Sequence, residues 1–240
     1  MRGQAPSIPT DWPQHSRERP LPTVQVAPAQ RLPVARPPNA VSLFDGTNLG
    51  GWQRADGKPA GWALVAGDAM QVTKGAGDVQ TKATFGDVEL HVEWASPKPA
   101  EGSDQDRGNS GVFLMGTYEI QVLDSYRNVT YADGSAASIY GQFPPKVNVS
   151  RAPGEWQTFD ITFTRPRFAA SGALVSPARV TVRHNGVLVH DNVALLGPTT
   201  NMRRAPYEKH ADWLPLKLQD HGHPVKFRNI WVVDLEARRQ

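Results

Sequence analysis

A short stretch in the middle of the chain, "YEIQVLDSY" at residues 118–126, combines acidic and amide side chains with the alternation of a half-buried strand. Glu119 and Gln121 share one face of such a strand and leave it about 7 Å apart, since each residue rises roughly 3.3 Å. Asp124 is out of phase and reaches the same face only if a β-bulge absorbs one residue after Val122. Side chains of these types in a cleft transfer protons or bind hydroxyl groups. The alternative is a solvated sheet surface on which Asp124 is a turn residue.

An arginine lies in the polar segment "DQDRGNSG" at residues 104–111, which leads directly into this stretch. The guanidinium of Arg107 suits planar, multidentate contacts with oxygen atoms, so it is a candidate for contacting a sugar. The carboxylates of the segment could also bind Ca²⁺, although their spacing does not fit an EF-hand loop. A polar turn without a ligand explains the composition equally well.

Two histidines, His221 and His223, flank a glycine in "LQDHGHPVKFRN" at residues 218–229, and this spacing favours a turn. A metal site would need a third ligand that the sequence does not locate. Imidazole side chains titrate near neutral pH and transfer protons readily. A general acid or base is therefore the preferred functional interpretation of this pair.

Bulk composition excludes several classes of protein. The chain has 240 residues, a net charge of +3 and no cysteine, which excludes disulfides, thiolate metal sites and cysteine nucleophiles. Its arginines form no basic stripe with interleaved aromatics, which argues against nucleic-acid binding. No apolar run reaches the ~20 residues that cross a bilayer, and no secretory signal follows Met1. We expect a soluble protein, located in the periplasm or outside the cell if a signal was removed.

The chain divides by composition into a proline-rich arm, residues 1–40, and a domain, residues 41–240. The arm contains nine prolines and little hydrophobic periodicity, so we expect an extended tether or arm, lying along the domain or disordered. The domain shows ten or more short strands, a hairpin turn at Asn185–Gly186 and no helical crossovers. This pattern predicts an all-β sandwich or jelly roll, with a long loop at 197–215 that helps to shape a site.

Aromatic residues fall into two groups. Trp52, Trp94 and Trp231 lie on the apolar faces of predicted strands, which indicates core positions. A second group lies near loops, where an aromatic ring can stack on a sugar: Tyr126, Tyr140 and Trp156.

Four segments together resemble the bacterial 3-keto-disaccharide hydrolase family: "LFDGTNLGGW", "NSGVFLMGTYEIQVLDSY", "ASIYGQFPPKVNVSRAPGEWQTFDITF" and "LQDHGHPVKFRNIWV". The resemblance covers roughly residues 41–235. It implies a concanavalin A-like jelly roll of two antiparallel sheets with a concave sugar-binding face, similar in fold to laminarinase-type glycoside hydrolases. Those enzymes carry Glu-x-Asp-x-x-Glu on a bulged strand, whereas "EIQVLD" has Gln121 in the middle and Asp124 at the end. Since retaining hydrolysis needs two carboxylates about 5 Å apart, this departure argues against an ordinary glycosidase.

The substrate that the resemblance implies is a 3-keto-glycoside, which suggests a different reaction. A ketone at C3 acidifies the C2 proton, so a base removes that proton, the enolate expels the group at C1, and water adds afterwards. We predict Glu119 or His221 as the base and Asp124 or His221 as the proton donor, with Arg107 and Gln121 contacting the enolate or hydroxyl oxygens. Further predicted substrate contacts are Asn109, Tyr140, Lys146, Gln219 and His223.

Two other functions fit the same residues: a non-catalytic carbohydrate-binding lectin-like module and a laminarinase-like glycoside hydrolase. A structural surface protein is a third alternative. The sequence requires no cofactor, and the expected partner is an oligosaccharide or glycoside. Because concanavalin A-like folds often hold a structural calcium ion away from the cleft, Asp45 or Asp234 is a candidate ligand for one.

Overall fold

A computed structural model describes residues 12–201 and 203–236, and short strands account for almost all of its regular structure. The described residues form one 3₁₀ helix, Ala132–Gly134. The strands are β1 Thr23–Val24, β2 Val41–Phe44, β3 Trp52–Gln53, β4 Ala63–Val65, β5 Ala69–Gln71, β6 Val79–Phe85, β7 Val88–Ala95, β8 Ser110–Leu114, β9 Tyr118–Val122, β10 Val147–Asn148, β11 Gln157–Thr164, β12 Arg167–Phe168, β13 Leu174–Ser176, β14 Arg179–His184, β15 Val187–Ala194, β16 Thr199–Thr200, β17 Arg203–Arg204, β18 Leu214–Leu218 and β19 Lys226–Asp234.

Two antiparallel sheets make up the domain. One has eight strands in the order β15-β14-β11-β7-β19-β5-β4, with β2 also paired to β19, and the other has five in the order β3-β6-β18-β8-β9. The remaining strands form two-stranded pairs, of which β1 with β10 is parallel. The predicted jelly-roll sandwich of two antiparallel sheets is therefore confirmed. The predicted hairpin is also confirmed, since His184 pairs with Val187 across Asn185 and Gly186, both at positive φ.

The core lies between the sheets and consists of the alternate apolar residues of the long strands. Trp52 and Trp94 are 2% and 0% exposed within it, as predicted. Trp231 is different: Ile230 and Val232 face the main core, so Trp231 points to the opposite side of the eight-stranded sheet. There it stacks on His91, with 4.8 Å between the ring centroids. Trp231 is therefore buried as predicted, but in a second hydrophobic cluster with Ala40 and Val233. It lies outside the main core because an irregularity in the β7–β19 pairing, between Arg228 and Trp231, shifts the register of β19.

Residues 12–40 run along the domain. Thr23–Val24 pairs with Val147–Asn148. Farther along, both the N–H and the C=O group of Val34 form hydrogen bonds with the domain. Val34 N donates to Glu93 Oε1 at 2.7 Å, and Asn229 Nδ2 donates to Val34 O at 2.9 Å. Residues 1–11 of the predicted arm lie outside the described residues. Within the described ranges, no helix has the length and apolarity that crossing a membrane requires.

Candidate active site

The outer face of the five-stranded sheet carries the polar residues of the candidate site. Tyr118, Ile120 and Val122 of β9 belong to the core, so Glu119 and Gln121 project from the opposite face. They are nevertheless only 5% and 1% exposed. These side chains therefore share one face, as the alternation predicted, and are covered there by neighbouring segments. The covered polar region above β8 and β9 is called the hollow.

Strand pairing arranges the floor in two rows. In the first row, Lys217 of β18 pairs with Phe113 of β8, which pairs with Glu119. The Lys217 ammonium lies 4.0 Å from the centroid of the Phe113 ring and 3.1 Å from Asp78 Oδ2. Neighbouring strands are about 4.8 Å apart, so this row extends for roughly 10 Å from Glu119.

The second row contains Gln219, Gly111 and Gln121. Gly111 pairs with Gln121, and Gln219 N donates to Gly111 O at 3.1 Å. A Cβ atom on Gly111 would lie 2.4 Å from Glu119 Oε1 and 2.7 Å from Phe113 Cε2. The missing side chain thus provides the space over which the Glu119 carboxyl lies.

Burial controls the protonation of Glu119. Desolvation raises the pKa of its carboxyl to about 8, although the Lys217 charge lowers it and Asp78 raises it further. Glu119 is therefore mainly protonated at neutral pH. A neutral carboxylic acid on the floor of a hollow can donate a proton, which an ordinary surface glutamate cannot do at this pH.

The orientation of the Gln121 amide is coupled to that proton. In one orientation Gln121 Nε2 donates to Gln105 Oε1 at 3.1 Å and to Asn109 Oδ1 at 3.4 Å. The amide oxygen then lies 3.0 Å from Glu119 Oε1 and accepts the proton of the neutral acid. With an ionised Glu119 the amide must turn, so that its nitrogen donates to the carboxylate. The turned amide nitrogen would also donate to Ser110 O at 3.2 Å, so the contacts of Gln121 favour the turned orientation unless Glu119 carries its proton.

Asp124 lies beyond the end of β9 and is bound to Arg107. The β8–β9 ladder keeps its register as far as the pair of Ser110 and Val122, and the bulge predicted after Val122 would lie beyond this pair. Arg107 Nε donates to Asp124 Oδ2 at 2.8 Å, and Tyr126 N donates to Asp124 Oδ1 at 3.2 Å. Burial raises the pKa of Asp124, while Arg107 opposes this rise. This pair fixes the loop before β8 to the end of β9.

The histidine segment lies beside the same loop. His223 Nε2 is 3.1 Å from Asp106 Oδ1, and the His221 ring stacks parallel to the His223 ring with 6.0 Å between centroids. His221 is exposed, whereas His223 is partly buried. Since Gln219 N donates to Gly111 O, the start of this segment continues the sheet beside β8, one strand away from β9.

Among the other predicted contacts, Asn109 and Tyr140 border the hollow and Lys146 does not. Tyr140 N donates to Glu119 O at 3.2 Å, so the chain around residue 140 extends the sheet past β9. Lys146 is exposed, and its backbone N donates to Val189 O on the eight-stranded sheet. It is separated from Glu119 because residues 141–146 lead the chain away from β9 toward β15.

Several residues of the hollow were not predicted. Lys217 alternates with Leu216 and Leu218 in "LPLKLQ", a period of two that could have identified it with Gln219. Gln105 and Tyr131 lie in loops, where no periodicity indicates which way a side chain points. Only the tertiary structure brings these two to the site.

Calcium binding by Asp45 and Asp234 together does not fit their positions. Phe44 pairs with Ile230 and Val41 with Val232, so the antiparallel ladder separates the two carboxylates by about 16 Å. Asp45 Oδ1 accepts hydrogen bonds from Thr47, and Asp234 Oδ1 accepts one from Glu236 N. Over the described ranges, no three His, Asp or Glu side chains converge as a metal site. A structural calcium ion bound by one of them remains a prediction.

Comparison with known proteins identifies similar sequences and folds. A family model described as 3-keto-alpha-glucoside-1,2-lyase-like domain matches residues 39–233. A candidate glycosyl hydrolase from Parabacteroides distasonis ATCC 8503, with a crystal structure at 2.13 Å, is 42% identical, with a TM-score of 0.80 over 82% of this chain and 84% of that one. Two other candidate glycosyl hydrolases from the same organism have crystal structures at 1.70 and 2.00 Å and are 18% and 20% identical to this chain. Both have a TM-score of 0.59 over 82% of this chain, and the matches cover 94% and 99% of the two relatives. They indicate the fold alone. No curated protein matches the chain.

Proposed function

Because this chain belongs to the family of 3-keto-alpha-glucoside-1,2-lyase-like domains, we propose that it cleaves the glycosidic bond of 3-keto-glycosides by elimination, followed by addition of water. The family, and the 42% identical relative described as a candidate glycosyl hydrolase, support a glycoside-acting enzyme. The 3-keto substrate and the elimination are the steps that we add to this assignment.

One observation supports elimination over direct displacement. Glu119 is the buried carboxyl on the floor of the hollow, and the side chain beside it on the same strand is the amide of Gln121. Asp124, the next acid along the chain, is bound by Arg107. The strand therefore lacks the pair of free carboxylates about 5 Å apart that a retaining glycosidase uses. A single protonated acid with amide neighbours suits proton transfer instead.

The proposed reaction balances as follows. A base removes the proton from C2, and the resulting enolate carries its charge on the C3 oxygen, where hydrogen-bond donors beside the sugar stabilise it. The enolate expels O1, so the C1–O1 bond breaks, a C1–C2 double bond forms and O1 takes a proton from an acid. Water then adds its hydroxyl to C1 and a proton to C2. The net result is hydrolysis without a covalent intermediate on the protein.

Stereochemistry requires two proton-transfer groups. In an α-glucoside the C2 hydrogen and the C1 oxygen point to opposite faces of the ring, so the base and the acid lie on opposite sides of the sugar. We assign Glu119 as the acid, since burial keeps it protonated at neutral pH. We assign His221 as the base, because it is exposed, stacks on His223 and belongs to the segment that follows Gln219.

Release of the leaving group from two substrates tests this proposal. We expect the protein to cleave a 3-keto-glucoside and to leave the non-oxidised parent glucoside intact. In deuterated water the recovered keto sugar should carry deuterium at C2, because elimination and hydration pass through that carbon. Cleavage of both glycosides would favour a laminarinase-like hydrolase, and binding without cleavage of either would favour the lectin-like alternative.

Replacement of Glu119 by Gln tests the assigned acid. The variant keeps the shape and hydrogen bonds of the side chain but holds no transferable proton. We expect kcat to fall by about 10²–10⁴-fold, the range typical of a general acid. An unchanged kcat would show that the chemistry occurs elsewhere.

A further inference from the structure

Residues 12–19 contact three segments that border the hollow, although they precede the region matched by the family model. Arg17 is paired with Asp104 in the loop before β8. On the other side, His15 N donates to Asp133 Oδ2 at 3.2 Å. Gln14 Nε2 donates to Thr200 O at 2.6 Å, next to Thr199, whose hydroxyl accepts a hydrogen bond from Glu119 N at 2.8 Å. This segment is therefore attached to the rim of the candidate active site at several separate points.

The His15 ring packs against two tyrosines beside the hollow. Its centroid lies 4.2 Å from that of Tyr131 and 5.2 Å from that of Tyr140. His15 Nε2 is buried and forms no hydrogen bond to any residue that the structure describes. Packing thus holds this ring in place. His15 has a φ of +61°, a conformation in which histidine is commoner than most non-glycine residues, so histidine suits this position better than another flat ring.

The Tyr140 hydroxyl is oriented by its neighbours. It lies 3.0 Å from the Tyr131 hydroxyl and 3.5 Å from Asn201 Oδ1. Asn201 Oδ1 can only accept, so Tyr140 donates to it, and Tyr131 in turn donates to the oxygen of Tyr140. A sugar oxygen in the hollow would compete with Asn201 for the Tyr140 proton. Burial raises the pKa of Tyr140 and the Glu119 carboxyl adds to this rise, so the hydroxyl lies within electrostatic range of Glu119.

We propose that residues 12–19 form one wall of the sugar site and that His15 is a positioning residue, which fixes the Tyr140 ring so that its hydroxyl donates to the bound sugar. The inference rests on the proposed function, because it assigns a substrate contact to Tyr140. It adds a segment from outside the family-matched region to the site. The His15 ring acts through Tyr140 and does not itself take part in proton transfer.

A double-mutant cycle in the full chain tests this inference. His15→Gly removes the ring without straining a backbone at positive φ, and Tyr140→Phe removes the hydroxyl but keeps the ring. We expect each variant to raise KM for the 3-keto-glucoside about fivefold to tenfold, as the loss of one hydrogen bond does, with kcat little changed. The double variant should be no worse than Tyr140→Phe alone, because both changes remove the same contact.

The matched control is Gln30→Ala, which loosens the arm at a different place, where Gln30 Oε1 accepts from Arg151 and Thr158. It should leave KM unchanged. Suppose that the wild-type protein cleaves the keto sugar. An unchanged KM in His15→Gly would then overturn the positioning role alone, and so would effects on KM that multiply in the double variant. A fall in kcat and melting temperature at constant KM would also overturn it. A wild-type protein that does not cleave the keto sugar would overturn the proposed function and this inference with it.

Discussion

Glu119 shows how a single carboxyl acquires a chemical role from its surroundings. Its position on a strand face follows from alternation, but its proton follows from burial, which raises its pKa to about 8. A residue protonated at neutral pH can act as an acid, whereas the same side chain in water would be an anion. Its protonation also decides which way the neighbouring Gln121 amide points.

The raised pKa predicts how stability depends on pH. Folded Glu119 holds its proton up to about pH 8, whereas the unfolded chain releases it near 4.5, so wild-type stability falls as pH rises between these values. The free energy of unfolding of the wild type falls by at most about 1.4 kcal/mol per pH unit through this group. We expect Glu119→Gln to lack this loss, so that from pH 5 to pH 8 its free energy of unfolding rises relative to wild type by roughly 3–5 kcal/mol. Urea titrations at several pH values measure this difference.

The exposed Glu101 supplies the control for that experiment. Glu101→Gln should differ from wild type by the same amount at every pH. If Glu119→Gln behaved in the same way, Glu119 would titrate normally, and its assignment as the acid would lose its physical basis.

Gly111 is the second residue whose role is specific to this site. Gly111→Ala places a methyl group 2.4 Å from Glu119 Oε1, so the carboxyl must move. We expect a loss of about 1–3 kcal/mol of stability, as overpacking typically causes, together with a large fall in kcat. Gly51→Ala is the control, since the nearest atom to its added methyl group is Leu43 O at 3.7 Å. Kinetics and melting of both variants would test the prediction, and normal turnover in Gly111→Ala would contradict it.

At the scale of elements, the site depends on how the loop before β8 is attached to the end of β9. Arg107 and Asp124 provide this attachment, with their side chains 17% and 1% exposed. The loop carries Gln105 and Asn109, whose side chains contact Gln121. The pair therefore positions polar groups of the hollow, while the charged groups of Arg107 and Asp124 are bound to each other.

Asp124→Asn separates this structural role from the proton-donor role predicted for Asp124 from the sequence. Breaking a buried ion pair costs about 3–5 kcal/mol, so we expect a clear loss of stability in urea and a raised KM. Turnover by the folded variant should fall less than about tenfold, below the effect typical of a general acid. Asp56→Asn, in an exposed loop, should change neither stability nor KM. If turnover instead fell about a hundredfold or more while stability stayed the same, Asp124 would be identified as the donor.

At the scale of the whole molecule, the segment before the domain is held on the side away from the candidate active site as well as beside it. Glu93 is fully buried on the eight-stranded sheet and accepts hydrogen bonds from Val34 N, Asn229 and Arg228. Burial raises its pKa, but the His91 ring 3.6 Å away and hydrogen bonds from Asn229, Val34 and Arg228 outweigh this and lower it to about 2. Glu93 therefore connects residues 31–40 to the sandwich.

Glu93→Gln should weaken this connection. At pH 7 we expect the free energy of unfolding to fall by roughly 2–4 kcal/mol, since Arg228 is left without its buried carboxylate. Because the pKa is lowered in the folded protein, the wild-type advantage should be present above pH 4.5 and disappear as pH falls toward 2. Urea unfolding measures the loss, and faster amide hydrogen exchange at residues 31–40 would locate it. The exposed Glu89 on the same strand is the control, and an equal loss in Glu89→Gln would contradict the prediction.

Calcium dependence is also a property of the whole molecule. If Asp45 or Asp234 binds a structural ion, a chelator should lower the melting temperature, and added calcium should restore it, because a ligand stabilises the state that binds it. Asp45→Asn and Asp234→Asn would show which residue is involved. A melting temperature that does not change when a chelator is added would contradict the prediction of a structural calcium ion.

The linear pattern of residues was enough to predict the all-β sandwich, the faces of β9 and the residue types available for chemistry. Alternation with a period of two places Glu119 and Gln121 on the same strand face, independently of the rest of the chain. Asn185 and Gly186 tolerate positive φ and therefore favour a hairpin turn. These properties are local, so a linear pattern contains them.

Long-range packing establishes which groups share the hollow, that Asp124 pairs with Arg107 and that Lys146 lies elsewhere. It also places Trp231 in a second hydrophobic cluster outside the main core. It also decided that residues 12–19 reach the rim, where His15 packs on Tyr131 and Tyr140. These outcomes depend on strand order, register shifts and burial, which join residues more than a hundred positions apart. The pKa of Glu119 belongs to the same category, because it is set by the exclusion of water and not by its neighbours in the chain.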